Sequence, residues 1–161
     1  MLMSKRIILM LAVAGLLIVS MAPASAKGPE ARCYGVQGTG ETSVVGPGVF
    51  GGTATLRLGG QLIEGIAVEV TSDGGPTSSH TFVFPSDADL HPGVVIKTND
   101  DVILRPTDIA NVMSLRSRLQ VVEGDSGNFH LLPSSTLTFD PDTGWPQSAA
   151  WVLRGHICFG D

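Results

Sequence analysis

The sequence predicts an all-β fold, a single antiparallel β-barrel of about eight strands in the calycin-like manner, with a β-sandwich as the alternative. Three observations carry this. Short runs of Val, Ile, Thr, Leu and Phe recur between clusters of Gly, Pro, Asp and Asn. No apolar stripe of helical period follows residue 26. The only two cysteines, Cys33 and Cys158, lie near opposite ends of the chain, where closure of a barrel would bring first and last strands together.

Residues 1–26 read as a signal peptide rather than as part of the fold. Lys5 and Arg6 form a positive start, an apolar run follows from Ile7 to about Val19, and Ala24-Ser25-Ala26 supplies a cleavage pattern. The apolar run is short for a membrane helix, which needs ~20 residues. The mature domain is then residues 27–161, exported to the periplasm or beyond the cell. Export favours pairing Cys33 with Cys158, against the alternative of two unpaired buried thiols. Without Lys5 and Arg6, 8 cationic residues face 15 acidic ones, a net charge of −7. An acidic surface repels phosphate, so neither nucleic acid nor a membrane is an expected partner.

Along the mature chain, strands are expected over residues 31–36, 50–58, 62–72, 79–84, 94–98, 102–105, 114–122, 136–139 and 149–159. Gly59-Gly60 suits a two-residue hairpin requiring positive φ twice. Pairing across it places Leu56 opposite Ile63. The later apolar residues Ile66, Val68 and Val70 then fall on the wrong face unless a β-bulge at Glu64-Gly65 inserts one residue. Residues 72–76 and 141–144 carry turn chemistry, Asn99-Asp100-Asp101 separates two strands, and residues 107–113 allow one helical turn.

The run Glu123-Gly124-Asp125-Ser126-Gly127-Asn128 contains the GDSG that surrounds the nucleophile of chymotrypsin-like proteases. His80, His91, Asp100, Asp101 and Asp108 precede Ser126 in the order such a triad requires. However, the ~135 mature residues are too few for two β-barrel domains of ~100 residues each. No alanine-alanine-histidine-cysteine motif surrounds either histidine, and Asn128 stands where the protease motif has another glycine. The stretch is expected to be a turn, and no catalytic residue is assigned. Asp87-x-Asp89-x-His91 reads as a solvated loop and Asp140-x-Asp142-x-Gly144 as a turn, so neither metal nor cofactor is expected.

The remaining polar feature is a set of cations within strands: His80, Arg105, Arg116, Arg118, Arg154 and His156. By the two-residue period, Leu115, Ser117, Leu119 and Val121 form one core face, and Trp151, Leu153, Ile157 and Phe159 another, which turns many of these cations outward. The sharper alternative places His80, Arg105, Arg118 and Arg154 in a barrel lumen as ligand contacts.

Several segments resemble small exported bacterial proteins related to the allene oxide cyclase/dirigent-type β-barrel. These are His80-Thr81-Phe82-Val83-Phe84, Leu104-Arg105-Pro106-Thr107, Arg116-x-Arg118-Leu119-x-Val121-Val122-x-Gly124, Gly127-x-Phe129 and Arg154-Gly155-His156-Ile157-Cys158. The resemblance implies an eight-stranded barrel and reads GDSG as a variant turn, but transfers no catalytic residue. It weakens after Phe129, where His130-Leu131-Leu132-Pro133 replaces a Gly-rich segment. The function expected is binding of a small apolar or amphipathic molecule, or of a protein partner, without catalysis. The alternatives are a cofactor-free isomerase or cyclase and a packed structural barrel, and the state of the lumen separates these readings.

Overall fold

The computed structural model describes residues 31–160, Gly124 excepted; the proposed signal peptide lies outside the described residues. Nine strands follow one another: β1 (Arg32–Gly46), β2 (Val49–Leu58), β3 (Gln61–Ser72), β4 (Thr77–Val83), β5 (Val95–Pro106), β6 (Val112–Val122), β7 (Ser126–Leu131), β8 (Thr136–Phe139) and β9 (Pro146–Phe159). Each pairs antiparallel with its neighbours, and β9 returns to β1 in a ladder running from Arg32↔Phe159 to Ser43↔Ser148. The sheet is therefore a closed barrel, not a sandwich.

Nine strands fill eight positions because β7 and β8 lie in tandem between β6 and β9. Pro133, lacking an N–H, interrupts what would be one strand. Ser135, fully buried, mends the gap. Its hydroxyl accepts from the Val152 N–H at 3.0 Å and donates to the Val152 carbonyl at 3.3 Å, while its own carbonyl accepts from Leu115 N at 2.8 Å. A side chain thus replaces ladder bonds that the backbone cannot make.

The β2–β3 hairpin turns on Gly59 and Gly60, with φ of 56° and 98°. The expected bulge is present: Leu56 pairs with Ile63, but Ala54 pairs with Ile66, and Gly65 at φ 69° absorbs the extra residue. Ile63, Ile66 and Val68 consequently share the buried face. Besides β7, which the expected strands omit, three expectations fail. Strand β1 runs on to Gly46, because its Gly- and Thr-rich continuation is held by strands on both sides. Residues 107–111 form a turn without helix, tied by the Thr107 hydroxyl donating to the Val112 carbonyl at 2.7 Å. Strand β5 passes straight through Asn99-Asp100-Asp101, so the two short strands expected there are one.

The interior divides along the barrel axis. Towards the chain-start end of β1, Leu58, Ile66, Phe82, Phe84, Leu119 and Ile157 are at most 2% exposed and form a solid core. Each such side chain contributes roughly 1.5–3 kcal/mol on burial. The β4–β5 loop folds over this end, and His91 stacks on Phe159 with ring centroids 3.7 Å apart, its edge against Tyr34 at 5.5 Å. Burial lowers the His91 pKa below its ordinary value of 6.5; Asp125 opposes that shift and Arg32 adds to it. The unfolded chain therefore takes up this proton at a higher pH than the folded one. The stability linked to His91 is whole above pH ~6.5 and is lost as pH falls through the folded value. Thermal unfolding of wild type should accordingly fall more steeply between about pH 7 and pH 5 than that of His91→Asn, which tolerates the positive φ of 51° at this site. Parallel profiles would contradict the assignment.

Cys33 and Cys158 face each other across the β1–β9 ladder and form a disulfide, with Cα atoms 3.9 Å apart. It clasps the seam of the barrel at its closed end.

Candidate functional site

The other end is hollow. Alternation along β4 turns Ser78, His80 and Phe82 inward, and alternation along β5 turns Ile96, Thr98, Asp100 and Val102 inward. The register sets His80 opposite Thr98 and Ser78 opposite Asp100, so four polar side chains meet on one patch of the inner wall.

Asp100 is the centre of that patch. Its side chain has no solvent exposure, and His80 Nδ1 lies 2.6 Å from Oδ2. The Ser78 hydroxyl donates to the same oxygen at 3.0 Å, and the Thr98 hydroxyl donates to Oδ1 at 2.6 Å. Thr98 Oγ1 in turn accepts the main-chain N–H of His80 at 3.3 Å, which leaves its proton free for the carboxylate. A carboxylate receiving two hydroxyl protons accepts a third from the imidazole, placing hydrogen on Nδ1 and the lone pair on Nε2. The ring is held by stacking on Phe82 with centroids 5.7 Å apart and by Trp151, which stands at 89° to it with centroids 6.4 Å apart.

Above the patch opens a cavity of about 330 Å³, walled mainly by Phe50, Val70, Val102, Leu115, Leu137 and Trp151. His80 lines it, so with Nδ1 committed to Asp100 the nitrogen available to an occupant is Nε2. Trp151 is 3% exposed, and its indole N–H has no hydrogen-bond partner among the described residues. Gly40 makes room for that indole: a Cβ there would fall 2.1 Å from the ring. Ser117 also lines the cavity, but its hydroxyl donates to the Asp101 carbonyl at 2.9 Å. Trp145, 74% exposed, stands at the mouth, with Val44 and Val45 exposed on the β1–β2 side of the same rim.

Of the cations singled out in the sequence, the structure places only His80 in the lumen. Arg105, Arg118 and Arg154 are exposed on the outer wall, because Leu115, Ser117 and Leu119 on β6, Trp151 and Leu153 on β9, and Asp100 and Val102 on β5 take the inward parity. Arg118 and Arg154 flank His130 on that outer face.

Ser126 lies at the closed end, opposite Cys158, exposed and at the start of β7 rather than within the turn. His80 and Asp100, which the protease order would have joined to it, do pair, but in the hollow half. Gly127 is held by space: at φ 155° its Cβ would come 2.4 Å from the His156 carbonyl oxygen. Ser126→Ala should leave the melting temperature and any ligand uptake unchanged, since an exposed serine contributes at most ~1 kcal/mol. Covalent labelling of Ser126 by a fluorophosphonate would refute its dismissal as a nucleophile. Asp140 closes the other suspected loop as a turn, accepting the N–H groups of Asp142 and Thr143 at 2.9 Å each. These bonds lower the Asp140 pKa. Among the described residues no three His, Cys, Asp or Glu side chains gather as a metal site.

Fold and site together define a small antiparallel β-barrel, packed at one end and hollow at the other, with a buried His–Asp pair in the hollow half. Comparison with protein-family models, curated proteins and solved structures found no match.

Proposed function

We propose that this chain is an exported binding protein that holds a small, largely apolar molecule in the open half of its barrel, with His80 as the polar anchor. The observation that carries the reading is the apolar cavity of about 330 Å³ with one oriented imidazole in its wall. This volume lies within the range of ligand pockets, and apolar walls with few fixed polar groups are their usual makeup. At about 30 Å³ per non-hydrogen atom, as in liquid water, it takes on the order of ten such atoms. A longer molecule would project past Trp145. A solidly packed structural barrel accords poorly with the hollow half. The Cys33–Cys158 disulfide accords with an oxidising compartment and so with export. Kinship with the allene oxide cyclase/dirigent-type barrels is part of the same proposal and rests on the sequence segments that resemble them.

Native mass spectrometry of protein purified from its own host should reveal a co-purifying apolar molecule. Leu115→Trp, which fills the cavity, should abolish its uptake while leaving the barrel folded. A Leu115→Trp variant that retains the molecule as wild type does would overturn the cavity as the binding site.

A further inference from the structure

We infer that His80 is a general base, and that the cavity catalyses a proton shift within a carbonyl compound without a cofactor. The inference rests on the proposed binding of a small apolar molecule and adds chemistry to it. A carboxylate inside a barrel is costly to bury, and this one is spent on orienting a single ring. Its three hydrogen bonds fix the imidazole tautomer, leave Nε2 with its lone pair on the cavity side, and set a negative charge behind the ring. Asp100 then stands behind the ring as counter-charge to the imidazolium that forms during the step, the role of the orienting aspartate in a triad.

Trp151 lines the same cavity beside His80 and stands edge-on to its ring, so the base faces an apolar, aromatic wall. The step then balances without any other reactant. Nε2 takes the proton from the carbon between the carbonyl and a β,γ double bond. The C–H electron pair forms a new π bond and the carbonyl pair moves to oxygen, giving a dienolate and an imidazolium. The imidazolium returns its proton to the γ-carbon, and the product is the conjugated α,β-unsaturated ketone. His80 is the catalytic residue; Asp100 is a positioning residue.

The test uses the mature protein and a short series of cyclic and straight-chain β,γ-unsaturated ketones, in ordinary and heavy water. Binding is read from perturbation of the tryptophan side-chain NMR signals, and proton transfer from conjugation of the double bond and solvent deuterium entering the ketone. Wild type should bind and convert a member of the series faster than buffer. His80→Gln should lower the rate by at least ~100-fold, the low end of what a positioned base provides. Asp100→Asn keeps the shape, but its amide donates to Nδ1 and so turns an N–H toward the ligand. It should bind comparably and lose a similar factor, a split that a merely structural role would not produce. Ser126→Ala, at the closed end, should match wild type. Binding without conversion above buffer would overturn the proton shift and leave the binding proposal standing. Conversion that survives His80→Gln at the wild-type rate would overturn the role of His80. Absence of binding across the series would count against the binding reading and this inference together.

Discussion

Asp100→Ala should lower the unfolding free energy by about 3–5 kcal/mol, because it strips the acceptor from three donors at roughly 1–3 kcal/mol each when buried. The physical reason lies in what remains. Two hydroxyls and the imidazole Nδ1–H lose their acceptor, and two of these three side chains, Thr98 and His80, are buried with 1% and 6% exposure. Chemical denaturation of wild type and variant checks the figure. A joint replacement, Asp100→Leu with His80→Phe, should cost less, because it removes the imidazole donor together with its acceptor and extends the stack begun by Phe82, leaving only the Ser78 and Thr98 hydroxyls without their acceptor. That contrast separates the pair's worth to folding from its worth to the site. If the double variant proved as unstable as the single one, the pair would be a structural clamp.

Reduction of the Cys33–Cys158 bond has the other large expected effect. The bond closes a loop spanning 125 residues. The chain-entropy account assigns such a loop nearly 5 kcal/mol, and measured values are more often 2–4. A domain of this size should then lose roughly 10 °C in melting temperature. It should still fold, because the β1–β9 ladder and the core of Ile66, Leu119 and Ile157 do not depend on sulfur. Calorimetry with and without reductant, beside far-ultraviolet circular dichroism, measures both. Rapid alkylation of the two thiols in the unreduced native protein would show the clasp to be absent.

Much of the barrel was legible from residue order. The alternation in β6 and β9 identified the buried faces correctly, and the parity slip between Leu56 and Ile66 located the bulge at Gly65. Cysteine positions alone suggested which strands meet at the seam. These features depend on the two-residue period and on turn residues, both local properties of the chain.

The site was less legible because its key residue resembles a loop. Asn99-Asp100-Asp101 has turn chemistry, and strand β5 carries it only because β4 and β6 pair with it on both sides. Once that break is removed, Ile96, Thr98, Asp100 and Val102 form one inward row, a signal that was present in the spacing. Strand β7 was hidden likewise behind GDSG, and Pro133 concealed that β7 and β8 share one position. The sequence by itself determined an all-β chain, its bulge and its seam, and left Arg118 and Arg154 open between the outer wall and the lumen. Only the tertiary structure decided that one end is packed and the other hollow, and that His80 and Asp100 meet there. Period and propensity act along one strand, whereas a cavity and a hydrogen-bonded pair depend on the register between strands, which the closure of the barrel sets.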